Sequence, residues 1–431
     1  MPRQDSGGGL FGRQRRSGHV RAGAERGLTR SRAPAAPPRG AGRPRGSPSI
    51  APRLALFYAA VFTAIGVHVP FWPVWLSARG MSATEIGILL STMIWMRAIA
   101  NLVVADIADR RGERRRPMLL MSLASVVSYA LFAPAHGFWA LFGVSVLAGL
   151  FSAAVVPLGE SLTIASAYRH GLDYGRIRLW GSVSFVAAAA GTGWLLGGRS
   201  ADLVLWLMIA SLAATAGACL VLPDVRFPVS RRRRGSMLAL ARNPLFLAFL
   251  ATSASVQASH GVFHGFATLH WRASGLGEAA IGWLWAIGVI AEVLLFAASA
   301  AVLRRVGPAA LLAIAGAAGV LRWSATAFTT DLALLIPIQA LHALTFGAAH
   351  LAAIHFLQRA APAELSATAQ SLHSAIAWNV IGGAALWVSG VLYAHLAGHA
   401  FLVMALLSAA GFAGALWLGR RWDGRTLALG D

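Results

Sequence analysis

Arg97, Glu160, Arg178, Glu292 and Arg322 stand inside or at the edge of long apolar runs, and His260, His264, His342 and His350 share such settings. An ionisable group at the centre of a bilayer costs about 2.5–3.5 kcal/mol on insertion scales, so each is a candidate site. Their types suggest two chemistries. A guanidinium can hold a solute's carboxylate through charge-assisted hydrogen bonds. A carboxyl or an imidazole can carry a proton. Glu160 precedes Arg178 by eighteen positions, across a loop short enough to bring two antiparallel helices side by side. A Glu–Arg pair there either fixes helix packing or binds a polar solute. Glu292 lies between IGVIA and VLLFAA with no local charge. It must find an Arg or His on another helix, with Arg322 and Arg97 as candidate partners, or hold a proton itself.

Two helical faces add neutral polar groups. Gln339, His342, Phe346 and His350 recur at helical spacing, as do Gln257, His260 and His264. His342 and His260 are candidates to relay a proton or bond a solute. A metal at His260 and His264 is not expected, because no carboxylate or thiol shares that turn. In HVPFWPVWL, Phe71, Trp72 and Trp75 alternate with Pro70 and Pro73. Phe71 and Trp75 either stack on a ring of the solute or anchor the chain at the membrane interface. Pro157, three residues before Glu160, is expected to bend its helix.

The elements that position these residues follow from hydropathy. The 431 residues are 57% hydrophobic and 12% charged, a balance that fits a polytopic membrane protein. The expected class is all-α, with twelve transmembrane helices near 54–77, 84–108, 117–135, 138–165, 177–198, 201–222, 245–270, 279–303, 308–328, 331–358, 364–394 and 398–420. The net charge of +21 comes from Arg alone. It collects in the N-terminal tail and in alternate loops: 109–116, 168–178, Arg231–Arg234, Arg304–Arg305, Arg359 and 420–425. That distribution places both termini in the cytoplasm and excludes a basic face for nucleic acid. Residues 1–50 read as a disordered, Arg-rich cytoplasmic tail without a signal peptide. Residues 51–223 and 244–421 form two six-helix halves, joined by a cytoplasmic loop over 224–243 and followed by a tail over 422–431. The single Cys219 excludes an internal disulfide and a thiolate metal site. No HExxH, Asp-rich metal motif or nucleophile elbow with a partner base lies at a membrane face, so an enzyme is not expected.

The halves repeat. RGMSATEIG (79–87) and SGLGEAAIG (274–282) align at a shift of 195, pairing Gly80 with Gly275 and Gly87 with Gly282. Parallel duplicated halves are the pattern of a transporter whose site lies between them near the midplane. The segment ADIADRRGERRR resembles the cytoplasmic loop motif of the major facilitator superfamily. Asp109, Arg110, Gly112 and Arg114 fit it, whereas Ala105 and Glu113 depart from it. The resemblance implies a gating role, with Asp109 and Arg110 latching the cytoplasmic side.

Within that superfamily the chain resembles the lactose permease type at Glu160, at Gly175-Arg176-Ile177-Arg178, and at Glu292, Arg322 and His342. It departs at Gln339, where that type has Lys, and at Thr345, where it has the Glu that carries the proton. It resembles the phenylpropionate permease type more closely, from about 54 to 412, in PFWPVWL, VPLGESL, LDYGRIRLWGSVSFV, GFATLHW, GWLWAIGVIAEVLLF, VLRW, LHALTF and HLAAIHF. This implies proton-coupled uptake of aromatic acids similar to 3-phenylpropionate, with the carboxylate on Arg178, Arg322 or Arg97. Glu160, Arg178, Phe71, Trp75, His260, Arg322 and His342 are then the solute-binding candidates, and Glu292, Glu160 and His342 the proton-coupling ones. Arg97 is the intramembrane charge partner. No cofactor beyond a proton gradient is expected. The expected partners are a small solute and the lipid bilayer, with a monomer in a bacterial inner membrane. A sugar or nucleoside symporter is the alternative. A drug/proton antiporter fits less well, because AAAAGTGWLLGG lacks the Gly-Pro step of that group.

Overall fold

The computed structural model describes residues 50–225 and 237–427. The tail over 1–49, the Arg231–Arg234 run and residues 428–431 lie outside the described residues. All regular structure among the described residues is helical. The first half contains α1 (Ile50–Ala78), α2 (Ala83–Arg111), α3 (Arg115–Ala130), α4 (Phe138–Phe151), α5 (Val155–His170), α6 (Tyr174–Leu196) and α7 (Asp202–Val221). A short α8 (Met237–Arg242) falls within the expected central loop. Next come α9 (Pro244–Ala258), α10 (Gly261–Ala273), α11 (Glu278–Ala297), α12 (Ser299–Arg305), α13 (Pro308–Phe328), α14 (Leu332–Ala340), α15 (Ala349–Ala360), α16 (Ser366–His373), α17 (Gly382–Leu396) and α18 (Ala400–Arg421).

Ten stretches are long and apolar enough to cross a membrane. Two features separate this number from the expected twelve. Helix α3 has only 16 residues. The last stretch, Thr368–Arg421, is interrupted at Ala397–His399, where Ala397 takes a positive φ of 47°.

Local chemistry sets the helix ends. Ser82 caps α2: its Oγ accepts from the Glu85 N–H at 3.3 Å, and its own N–H donates to Glu85 Oε2 at 2.8 Å. Gly112 ends the same helix in the left-handed region, φ 65°, which a residue with a Cβ enters only under strain. Asp173 caps α6 by accepting from the Arg176 N–H at 3.1 Å.

Several expected spans are interrupted, including short breaks at Ser259–His260 and Ala298, and three interruptions shape the interior. The break between α4 and α5 lies at Ser152–Ala154, upstream of Pro157. Ala154 has φ 58°, and its N–H donates to Asn101 Oδ1 at 2.5 Å. Pro157 sits in the first turn of α5, where a missing N–H costs nothing. Wider π-type turns replace α-helix at Ala343–Ala348 and Ser374–Ile381. Such turns re-aim side chains and recur at functional sites.

The halves meet through α6 with α11, α2 with α17, and α1 with α10. The first two contacts are close because glycines face backbone. A Cβ on Gly87 would stand 2.9 Å from Gly390 Cα, and one on Gly282 would stand 2.5 Å from the Ala189 carbonyl oxygen. Gly87 and Gly282 are the positions matched by the internal repeat, so each half supplies the same seal. Gly80 and Gly275, also matched, share a left-handed φ of 82° and 88°. All of these contacts lie near the Arg-poor loops. Toward the Arg-rich end, Glu160 and Arg178 keep side-chain exposures of 40% and 31%.

Candidate solute site

Three chambers lie inside the bundle between the halves, and they adjoin at Val69 and Trp378, which border all of them. The chamber holding Arg178, Glu292 and His342 has a volume of about 410 Å³, and that holding Arg97, Tyr129 and Asn101 about 490 Å³. Both lie within the roughly 300–1,000 Å³ usual for small-molecule sites.

Glu160 on α5 meets Arg178 on α6, Oε1 to Nε, at 3.7 Å. The guanidinium of Arg178 also lies over the rings of Phe62 at 4.1 Å and Tyr58 at 5.3 Å. These rings orient Arg178 on the chamber wall without consuming its hydrogen-bonding fork.

The second half carries a connected chain. Glu292 Oε2 is 3.4 Å from His342 Nε2, and His342 Nδ1 is 3.1 Å from Arg322 Nη1. Arginine can only donate, so Nδ1 accepts, and Nε2 is left as the position from which a neutral ring donates to Glu292. Arg322 is fully buried. Its Nη1 donates to Thr345 Oγ1 at 2.9 Å and its Nη2 to Gln339 Oε1 at 2.8 Å. The rings of Trp323 and Phe263 lie 4.4 and 4.5 Å from its guanidinium carbon. Gln339 and Thr345, the two departures from the lactose permease pattern, are therefore the ligands of Arg322. His260 supports the cluster from beneath: Nδ1 donates to the Val256 carbonyl at 3.1 Å, and Nε2 faces Thr345 Oγ1 at 3.2 Å.

Several assignments change. Phe71 and Trp75 border none of the chambers. They are fully buried, with Trp75 stacked on Trp72 at 4.7 Å and its Nε1 donating to Asp202 at 3.0 Å. The two prolines do not turn these rings inward; the rings fill the first half's core near the Arg-poor end. Arg322 and His260 likewise border none of the chambers: Arg322 bonds His342, and His260 bonds Thr345 beside it. Arg97 does not pair with Glu292. It borders the first-half chamber beside His68, Asn101 and Tyr129. The loop motif is rearranged as well. Asp109 pairs with Arg114 at 2.5 Å, and Arg110 turns outward to Asp106 at 2.8 Å. The left-handed turn at Gly112 folds Arg114, rather than Arg110, back onto Asp109. Trp378 and His68 were missed: a lone Trp or His in an apolar run carries no sign of which way it points. Among the described residues no three His, Cys, Asp or Glu gather to hold a metal.

A largely apolar cavity carrying a few ionisable groups, set between duplicated helical halves and closed at one end by glycine contacts, defines a secondary transporter of the major facilitator type. Residues 52–404 match the MFS_1 like family, and the chain belongs to it. It is 34% identical over 363 residues to the probable 3-phenylpropionic acid transporter of Escherichia coli (strain K12), covering 82% of this chain and 94% of that protein. It is 28% identical to the maltose permease of Geobacillus stearothermophilus, covering 78% of this chain and 89% of that protein. In fold it is similar to the crystal structure of nucleoside transporter NupG, with a TM-score of 0.72 and 17% identity over 86% of this chain and 99% of that one. These relatives are transporters and permeases, not enzymes.

Proposed function

We propose that the protein is a proton-coupled symporter for a small aromatic acid similar to 3-phenylpropionate. It acts as a monomer spanning a bacterial inner membrane twelve times, with both termini in the cytoplasm. The observation that carries this reading is the Glu292–His342 pair, backed by buried Arg322, on the wall of a chamber that also holds Arg178, the partner of Glu160. A carboxyl reachable from the chamber, bonded to an imidazole whose far nitrogen is anchored by a fixed cation, is a group that can gain and lose a proton as the chamber changes sides. No cofactor is needed beyond the proton gradient. The printed name of the 34%-identical relative supports the solute class. The positive-inside pattern supports an orientation in which the glycine seal closes the outer face and the chamber reaches the cytoplasm through Arg178. Alternating access then exchanges this seal for one at the Arg-rich end, where Asp109 and Arg114 lie.

The Glu160–Arg178 pair would also suit a sugar or nucleoside, and similarity to a maltose permease favours that as the second reading. Uptake of radiolabelled 3-phenylpropionate, lactose and uridine into proteoliposomes, with and without an imposed pH gradient, separates the readings. Accumulation of the acid only under the gradient is expected. Gradient-insensitive uptake would sink symport, and uptake of lactose or uridine alone would replace the solute.

A further inference from the structure

Among the described residues, Arg97 makes no hydrogen bond and no ion pair, and its Nε is buried without a partner. Its neighbours on the chamber wall are His68, Asn101 and Tyr129, none of which carries a negative charge. The His68 Nε2 is also buried without a partner. Asn101 Oδ1 is already engaged by the Ala154 N–H at 2.5 Å. The other two intramembrane arginines differ in having bonded partners, although the Arg322 Nε is also buried without one. Arg178 has Glu160, and Arg322 has Gln339, Thr345 and His342. Of the groups that line the chambers, two are guanidiniums, Arg97 and Arg178, and one is a carboxylate, Glu292. A guanidinium kept inside a membrane bundle without an anionic side chain beside it is costly, and Arg97 borders a chamber of about 490 Å³, large enough to admit a small acid.

We infer that Arg97 is the carboxylate anchor of the solute, with the apolar body of the solute lying against Trp378. This rests on the proposed transport of an aromatic acid, and it selects one of three arginines for the acid group. Trp378 sits in the π-type turn Ser374–Ile381, opposite α2, and borders every chamber. Its ring lies edge-on to Phe346 at 5.4 Å, and Phe346 stacks on His342 at 5.0 Å. A solute held between Arg97 and Trp378 thus spans the two halves, and its apolar end abuts the aromatic path to the Glu292–His342 pair. The acid group is read by the first half and the proton is held by the second. Binding would pull the halves toward each other across the cavity.

The test is equilibrium binding to the full chain in lipid nanodiscs, with radiolabelled 3-phenylpropionate competed by its amide, benzoate, hexanoate, lactose and uridine. Arg97→Gln should weaken the acid by about 30-fold or more, the usual scale for removing one partner of a buried charge pair. The amide should change little, so discrimination between acid and amide collapses. Trp378→Ala should weaken acid and amide alike and leave that discrimination intact. If Arg97→Gln binds the acid as the unmodified chain does, or if discrimination vanishes in Arg178→Gln instead, the assignment is overturned. If the unmodified chain binds another carboxylate but not 3-phenylpropionate, the proposed solute falls, while loss of that carboxylate in Arg97→Gln upholds the anchor. Binding of lactose or uridine alone overturns both. A measurement on the unmodified chain needs no variant to fold: 3-phenylpropionate, and not its amide, should shield Arg97 from phenylglyoxal, read by peptide mass spectrometry. Absence of shielding also overturns the assignment.

Discussion

Arg322 in the second half is enclosed by Gln339, Thr345, His342 and two aromatic rings. Arg97 in the first half borders a chamber, with no group among the described residues bonded to it. Both are mid-membrane guanidiniums on duplicated bundles, and each keeps its Nε buried without a partner, yet Arg322 bonds through both Nη atoms whereas Arg97 bonds through none. A satisfied buried cation orients its neighbours and stays put. An unsatisfied one draws in a ligand. The duplication therefore preserved the sealing glycines in both halves while the polar chemistry diverged, leaving a carboxylate–imidazole–guanidinium chain in one half and an unmet positive charge in the other.

This contrast can be broken in several ways. The largest effect is expected from Glu292→Gln, which keeps a polar group beside His342 but cannot release a proton. Gradient-driven accumulation should be abolished, while exchange of labelled for unlabelled solute across proteoliposomes persists. Normal uphill transport by this variant would move proton coupling away from the second half. Next is a pair of melting experiments. Arg322→Leu leaves acceptors on Gln339, Thr345 and His342 without their donor, at about 1–3 kcal/mol for each orphaned group, so its melting temperature should fall. Arg97→Leu orphans nothing and removes a buried charge, so its melting temperature should hold or rise. Equal destabilisation of the two would show that Arg97 has a structural partner, and the contrast would be lost.

A smaller effect concerns the element both halves share. Gly282→Leu places side-chain atoms where the Ala189 carbonyl sits. Spin labels at the Arg-poor ends of α6 and α11 should then report a longer mean distance, as the population shifts away from the sealed state. Unchanged distances would mean that this contact does not hold the Arg-poor end shut. The smallest change is expected from Glu160→Gln. Arg178 keeps its aromatic support from Phe62 and Tyr58, and the pair is partly exposed, where ion pairs contribute up to about 1 kcal/mol. Solute affinity should therefore shift by no more than about tenfold. Loss of all transport would make Glu160 a proton carrier in its own right.

Much of this architecture is readable from one sequence, because a bilayer allows few solutions. Long apolar runs become helices, since lipid offers no other partner for backbone groups. Ionisable residues inside them were recognisable as site candidates by their cost alone. The Glu160–Arg178 meeting followed from a short loop joining antiparallel neighbours, which is a local constraint. The Glu292–His342 contact joins distant helices, and spacing alone left Arg97 and Arg322 equally open as partners of Glu292. Phe71 and Trp75 illustrate the opposite error: their aromatic, proline-flanked pattern suits a ring-binding wall and a packed core equally well.

By itself the sequence determined the helical class, the repeat, the family resemblance and the short set of residues able to bind an anion or carry a proton. Each of these depends on composition, on local spacing or on the energetic penalty of charge in lipid. Only the tertiary structure decided which face of each helix meets the cavity. It turned Arg322 into a buried support, left Arg97 open to the chamber, folded Arg114 onto Asp109 and set Trp378 at the junction of the chambers. Those outcomes depend on helix rotation, on two π-type turns and on a left-handed break at Ala154. A shift of one residue in helical register rotates a side chain by about 100°, and no pattern in the apolar runs encodes that rotation.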